Sequence, residues 1–169
     1  MNPLHLLVDG FGRIPPLIER ATRNLDASHL ATPPAPGANS IAWLAWHTAR
    51  GQDSWVADLN SDKQVWTSGG WVDRFGFPFP ADENGFGMPE QDTARVVASA
   101  ELLNGYLRAV TSSTLSYLGR LTPDDLDDVV DAARTPAVTR GGQLLSILDD
   151  NLQHAGQAGY ARGILDRSK

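Results

Sequence analysis

Four long stretches with apolar residues at helical spacing occupy most of this chain, and no strand-rich region competes with them. Side chains three and four apart share one face of a helix, so each stretch has one face to bury. The first runs from about Pro3 to Asn24, with Leu7, Phe11, Ile14, Leu17, Ile18 and Ala21 as its stripe. Pro15 and Pro16 predict a kink or a break within it. The proline-dense segment 31–37 forbids regular structure. Asn39 or Ser40 then caps a second helix that runs to about Leu59. Pro89 opens another helical region. Ser99 starts the third long helix, which carries Leu102, Leu103, Tyr106, Leu107, Val110, Leu115 and Leu118 to about Leu121. Thr122-Pro123-Asp124-Asp125 reads as a capped short turn. Residues 129–138 form a connector with room for a short extended piece. Thr139 caps the fourth long helix, which ends near Leu165. The expected architecture is all-α: one domain over 1–169, a four-helix bundle of up-and-down or crossover type.

Residues 60–88, between the second and third long helices, have another character. They are rich in glycine and aromatics, including Trp66, Trp71, Phe75, Phe77, Phe79 and Phe86, and they follow no clean period. A loop this long inside one domain either serves function as a lid or covers an open end of the core. Trp66 and Trp71 are the tryptophans freest to touch a ligand.

At 169 residues the chain can bury a sizeable core, and 41% apolar with 20% charged residues excludes a disordered class. The net charge of −6 and the lack of a basic cluster argue against nucleic acid and anionic membrane as partners. No apolar run is long enough to span a bilayer. Met1-Asn2-Pro3-Leu4-His5 lacks the regions of a signal peptide, so the expected location is the cytoplasm. There is no cysteine, so any thiol in the chemistry arrives with a cosubstrate.

Chemistry concentrates on two helices. On the fourth, Ile147, Asp150, His154, Gln157 and Ala161 share a stripe beside the core-facing side of Leu144, Leu148, Leu152, Ala155, Gly159 and Ile164. An acid and a histidine one turn apart form half of a metal site. The other half is available at His47, within Ile41-Ala42-Trp43-Leu44-Ala45-Trp46-His47 and near Trp55. Each residue has a plainer role: Asp150 wetted and bonded to His154, and His47 a satisfied core histidine. Two inward-facing histidines with an acid a turn away favour the ligand reading. Two imidazoles and a carboxylate suit Zn, Ni, Fe or Mn as a divalent ion and leave a coordination position open. Gln153, Gln157, Asp149 and Asp53 are candidates to orient the imidazoles. Arg50 could clamp a substrate carboxylate, or pair with Asp53 or Asp149 at the surface. Arg50, Asp53 and Gln157 are the side chains to consider in catalysis, with Asp149 or Asp53 as general base in a hydrolytic variant. His5 and His29 are expected to be solvated.

The segments Asn39-Ser40-Ile41-Ala42-Trp43-Leu44-Ala45-Trp46-His47 and Leu152-Gln153-His154-Ala155-Gly156-Gln157 through Gly163 resemble the DinB-like superfamily. That superfamily includes YfiT-like proteins and the mycothiol- or bacillithiol-dependent transferases. The resemblance implies a DinB/YfiT-like bundle and often a homodimer. It also implies a metal held by one histidine of the second helix and two of the last, at positions His47, Asp150 and His154. This chain departs at Asp150, where the family has histidine.

Two functions follow. One is a metal-dependent transferase or isomerase, with a low-molecular-weight thiol (mycothiol-type) as cosubstrate and the aromatic loop closing over a small-molecule substrate. The other is a non-catalytic bundle that binds a ligand or a partner, with a degenerate metal site.

Overall fold

The computed structural model describes residues 2–167. Its frame is four long helices: α1 (Pro3–Thr22), α3 (Ile41–Asn60), α7 (Ala100–Leu118) and α8 (Arg140–Leu165). Between them lie four short helices: α2 (Ala27–Leu30), α4 (Val65–Ser68), α5 (Trp71–Phe75) and α6 (Glu90–Thr93). A 3₁₀ turn at Asp124–Asp127 precedes the antiparallel hairpin of β1 (Val129–Asp131) and β2 (Val138–Thr139). Side-chain oxygens cap the long helices where the sequence places them. Ser40 accepts from the Trp43 N–H at 3.2 Å, Ser99 from Leu102 at 3.2 Å and Thr139 from Gly142 at 3.1 Å. Asn2 does the same for α1.

The bundle is of the crossover kind. α8 packs between α1 and α3, and α7 packs between the same two on the other side. Helices consecutive in sequence, α1 with α3 and α7 with α8, therefore stand across the diagonals. α3 is the most enclosed of the four: Ile41 through Arg50 are buried without a break. A helix that is apolar on every side belongs in the interior. Its polar residues must then find partners inside, and four of them shape the rest of the molecule.

The structure corrects several sequence expectations. α1 continues through Pro15 and Pro16 as one helix, so the proline pair does not split it. Phe11, Ile14 and Ile18, all fully buried, anchor it on both sides of the proline pair. Each buried side chain of this size contributes about 1.5–3 kcal/mol, which together exceeds the roughly 3 kcal/mol of an interior proline. On α8, Leu152 is 41% exposed and Gly159 is also exposed, while Ile147, Asn151 and Ala158 are buried. Pro89 heads only the single turn of α6. Trp66 and Trp71 are not free: they are buried with Phe75 against Tyr106. The aromatic loop is largely a second layer of the core. Among the described residues, no helix is long and apolar enough to cross a membrane.

Candidate metal centre

The buried polar side chains of α3 reach in different directions. Asp53 accepts the N–H groups of Val65 at 2.8 Å and Trp66 at 2.7 Å, which starts α4, and the Tyr106 hydroxyl at 2.7 Å. Arg50 is fully buried. It donates to the Glu83 carbonyl at 3.0 Å, the Ala81 carbonyl at 3.5 Å and the Gln64 side chain at 2.9 Å, and lies over the Trp66 ring. Gln52 joins Thr114 to Asn151. Arg50 and Asp53 thus fasten the long loop to α3. Neither stands at the candidate centre, contrary to the roles in substrate binding and catalysis expected for them. Nor is Arg50 a surface ion pair, since its contact with Asp53, at 3.9 Å, is buried.

His47 faces α8. Its Nδ1 lies 2.5 Å from the Asn84 carbonyl, and its ring stacks on Trp43 with centroids 4.5 Å apart. A carbonyl can only accept, so Nδ1 carries the proton and Nε2 keeps its lone pair. The loop comes this close because residue 85 is glycine. Gly85 has φ +94°, and a Cβ there would stand 2.8 Å from His47 Nδ1. Glu83 holds the turn by accepting from the N–H groups of Asn84 and Gly85 at 2.9 and 2.7 Å. Arg50, by fixing the Glu83 carbonyl, acts on the same turn from behind.

His154, opposite on α8, repeats the pattern. Its Nδ1 lies 2.9 Å from Gln157 Oε1, again a proton acceptor, and its Nε2 lies 3.4 Å from Asp150 Oδ1. The two imidazoles meet edge to face, centroids 4.9 Å apart. His47, Asp150 and His154 each offer a ligand atom, and those atoms all lie within 4.8 Å of one another. The cluster could hold a metal ion. Its chemistry fits one: each imidazole has its Nδ1 proton engaged with an oxygen, as metal-ligating histidines usually do, which leaves Nε2 as the atom for a cation.

The charges agree. Burial pushes the His47 imidazole below its ordinary value, so it stands neutral and ready to donate. Burial also acts to lower His154, but hydrogen bonds to Asp150 and Gln157 and the Asp150 charge outweigh it, and the net shift is upward. The hydrogen bond to His154 holds the Asp150 carboxyl below its ordinary value against partial burial. A carboxylate beside an imidazole Nε2 is joined to it by a proton or by a cation. The cluster opens on a cavity of about 480 Å³ lined by His47, Asp150, Trp55 and Phe86 among others.

Of the orienting candidates, Gln157 is in place. Gln153 instead bonds Asp149, and both are exposed on the outer side of α8. Trp55 is half exposed rather than core. His5 and His29 are exposed as expected. Sequence reasoning missed the Asn84 carbonyl and Gly85, although Asn-Gly is itself a signal for a tight turn with positive φ. It also missed Arg134 and Val138, which the hairpin brings to the cavity wall.

The DinB superfamily pattern matches residues 12–158. A crystal structure of a conserved protein from Enterococcus faecalis superposes with a TM-score of 0.92 and 33% sequence identity, covering 99% of either chain. No curated protein matches. With most of its length matched, and with a His–Asp–His cluster between the second and last long helices of a crossover bundle, this chain belongs to the DinB superfamily.

Proposed function

We propose that His47, Asp150 and His154 bind a divalent metal ion, and that the protein is a metal-dependent transferase or isomerase whose cosubstrate is a low-molecular-weight thiol of the mycothiol type. The observation that carries the reading is the paired engagement of both Nδ1 atoms, by Asn84 and Gln157, at the wall of an open cavity. Structural metal sites are closed by protein ligands, whereas three ligands beside a cavity leave room for a reactant. When bound, a divalent ion there supplies Lewis-acid chemistry, lowering the pKa of a thiol or water at its open position.

The chain's own residues do the rest. The Asn84 carbonyl and Gln157 hold the imidazoles in one tautomer and one orientation. Trp43, stacked on His47, keeps water from that face of the ring. Asp150 neutralises part of the cation's charge, and Phe86 and Trp55 present apolar surface at the cavity. The absence of cysteine means that the thiol comes from outside, and a cytoplasmic setting is where such a thiol stays reduced. A homodimer fits the reading, with exposed Leu145 and Leu152, seven residues apart on the outside of α8, as apolar surface for it.

Metal content tests the proposal. Wild type purified without chelators is expected to carry close to one equivalent of Zn, Ni, Fe or Mn, and His47→Ala and His154→Ala to carry little. Thiol-transfer activity should then follow the metal. Wild type that stays metal-poor after incubation with each ion would show that Asp150 has made the site degenerate, and the bundle would be a binding module.

A further inference from the structure

The cavity beside the cluster is uneven in its chemistry, and the unevenness describes a ligand. At about 480 Å³ it has the size of a small-molecule site. His47 and Asp150 form one part of its wall. Trp55 and Phe86, which also line it, are 50% and 88% exposed. Single exposed apolar side chains are ordinary, but two aromatic rings on one cavity beside a cluster of ligating groups mark a contact surface. Arg134 is the one permanently charged cation among the described residues of the wall, in a chain with net charge −6. Its guanidinium lies 3.6 Å from Asp131 in an ion pair whose side chains are 73% and 44% exposed. Such a pair contributes little, so the guanidinium can turn to a ligand carboxylate with its two-pronged geometry.

We propose that this cavity binds a small aromatic carboxylate, with its acid group on Arg134, its ring against Trp55 and Phe86, and its reacting end toward His47 and Asp150. The placement of the reacting end rests on the metal reading above; the grip on acid and ring does not. Charge supports the choice. Asp150 and Arg134 cancel, so a divalent ion leaves positive charge in the cavity, which an anionic ligand offsets.

The probe is 4-(mercaptomethyl)benzoate against its methyl ester, titrated into cobalt-loaded protein and read by the sulfur-to-cobalt charge-transfer band. The acid is expected to bind about tenfold more tightly than the ester, the scale of one charge-assisted hydrogen bond. Arg134→Ala should bring the acid down to the ester and leave the ester unchanged. Phe86→Ala should weaken both alike. Both side chains are exposed, so neither change threatens folding. In parallel, 4-methylbenzoate and 4-methylbenzamide are titrated into metal-free protein and read by Trp55 fluorescence, with Trp55→Phe as the blank. An acid preference that Arg134→Ala removes upholds the proposal, even if cobalt does not bind and the metal reading fails. Equal binding of acid and neutral probes in both titrations, or an acid preference that survives Arg134→Ala, overturns it, even in protein that holds cobalt.

Discussion

Tyr106 shows how one hydroxyl can report the state of the loop that carries the centre. Its ring is fully buried among Trp66, Trp71 and Phe75, and its hydroxyl donates to Asp53, which also starts α4. Burial, the Asp53 charge and that hydrogen bond all disfavour the phenolate, with Arg50 opposing them, so the group sits well above its ordinary value of 10.0. The sign follows: the folded state prefers the neutral form, so this contribution is complete below the unfolded value and is lost as pH rises above it. In a spectrophotometric titration Tyr106 should ionise only as the protein unfolds. The chain has three tyrosines, so Tyr106→Phe is the control, and that variant should lose the late phase. It should also lose about 1–3 kcal/mol of stability, because Asp53 keeps its burial and loses a donor. If the phase that Tyr106→Phe removes appears below unfolding, the Asp53 network is not formed. At this scale the sequence was half legible. His47, Asp150 and His154 could be placed by helical spacing, because spacing alone decides which side chains share a face. The partners of Arg50 and Asp53 could not, because they are mostly backbone atoms of the loop.

At the level of elements, the turn 83–85 is what joins that loop to the centre. Gly85 meets two requirements at once, a positive φ and a surface without Cβ against His47. Gly87, two residues on, has φ +69° and open space around it. The pair separates strain from contact. Gly87→Ala should lower stability by about 1–2 kcal/mol through its backbone alone and leave metal affinity unchanged. Gly85→Ala should show that strain and also push the Asn84 carbonyl off His47. Loss of such an orienting partner typically lowers metal affinity by about 10–100-fold. Calorimetric titration of the metal into both variants tells them apart, and equal affinities would mean that the Asn84 contact does not orient His47. Legibility again depends on where the partners lie. Ser40, Ser99 and Thr139 act as caps within their own helices, so short-range rules find them. The continuity of α1 through Pro15 and Pro16 depends on the burial of Phe11, Ile14 and Ile18 in the core, and no local rule contains that burial.

Over the whole molecule, the apolar stripes tell which face each helix buries but not which neighbour it meets. The diagonal placement of α1 across from α3, and of α7 across from α8, was therefore open, while the helical bundle itself was not. That placement makes α3 and α8 neighbours and brings His47 to Asp150 and His154 across most of the sequence. An ion held there would staple the most enclosed helix to the longest one. A ligand that binds only the folded state adds stability as its concentration exceeds the dissociation constant, about 2.7 kcal/mol at a hundredfold excess. For a domain of this size each kcal/mol moves the melting midpoint by about 2–4 °C. The midpoint of metal-free protein should thus rise by roughly 5–10 °C on saturation with the preferred ion. His154→Ala, half-buried at the edge of α8, should fold and show no rise. Asp150→His, which supplies the histidine that the resemblance implies at this position, should rise at least as far as wild type if the three positions form one site. Differential scanning fluorimetry across the four candidate ions reads all three. A midpoint that rises equally in wild type and His154→Ala would place the bound metal elsewhere on this acidic surface, because a staple that survives the loss of one of its arms is not the staple.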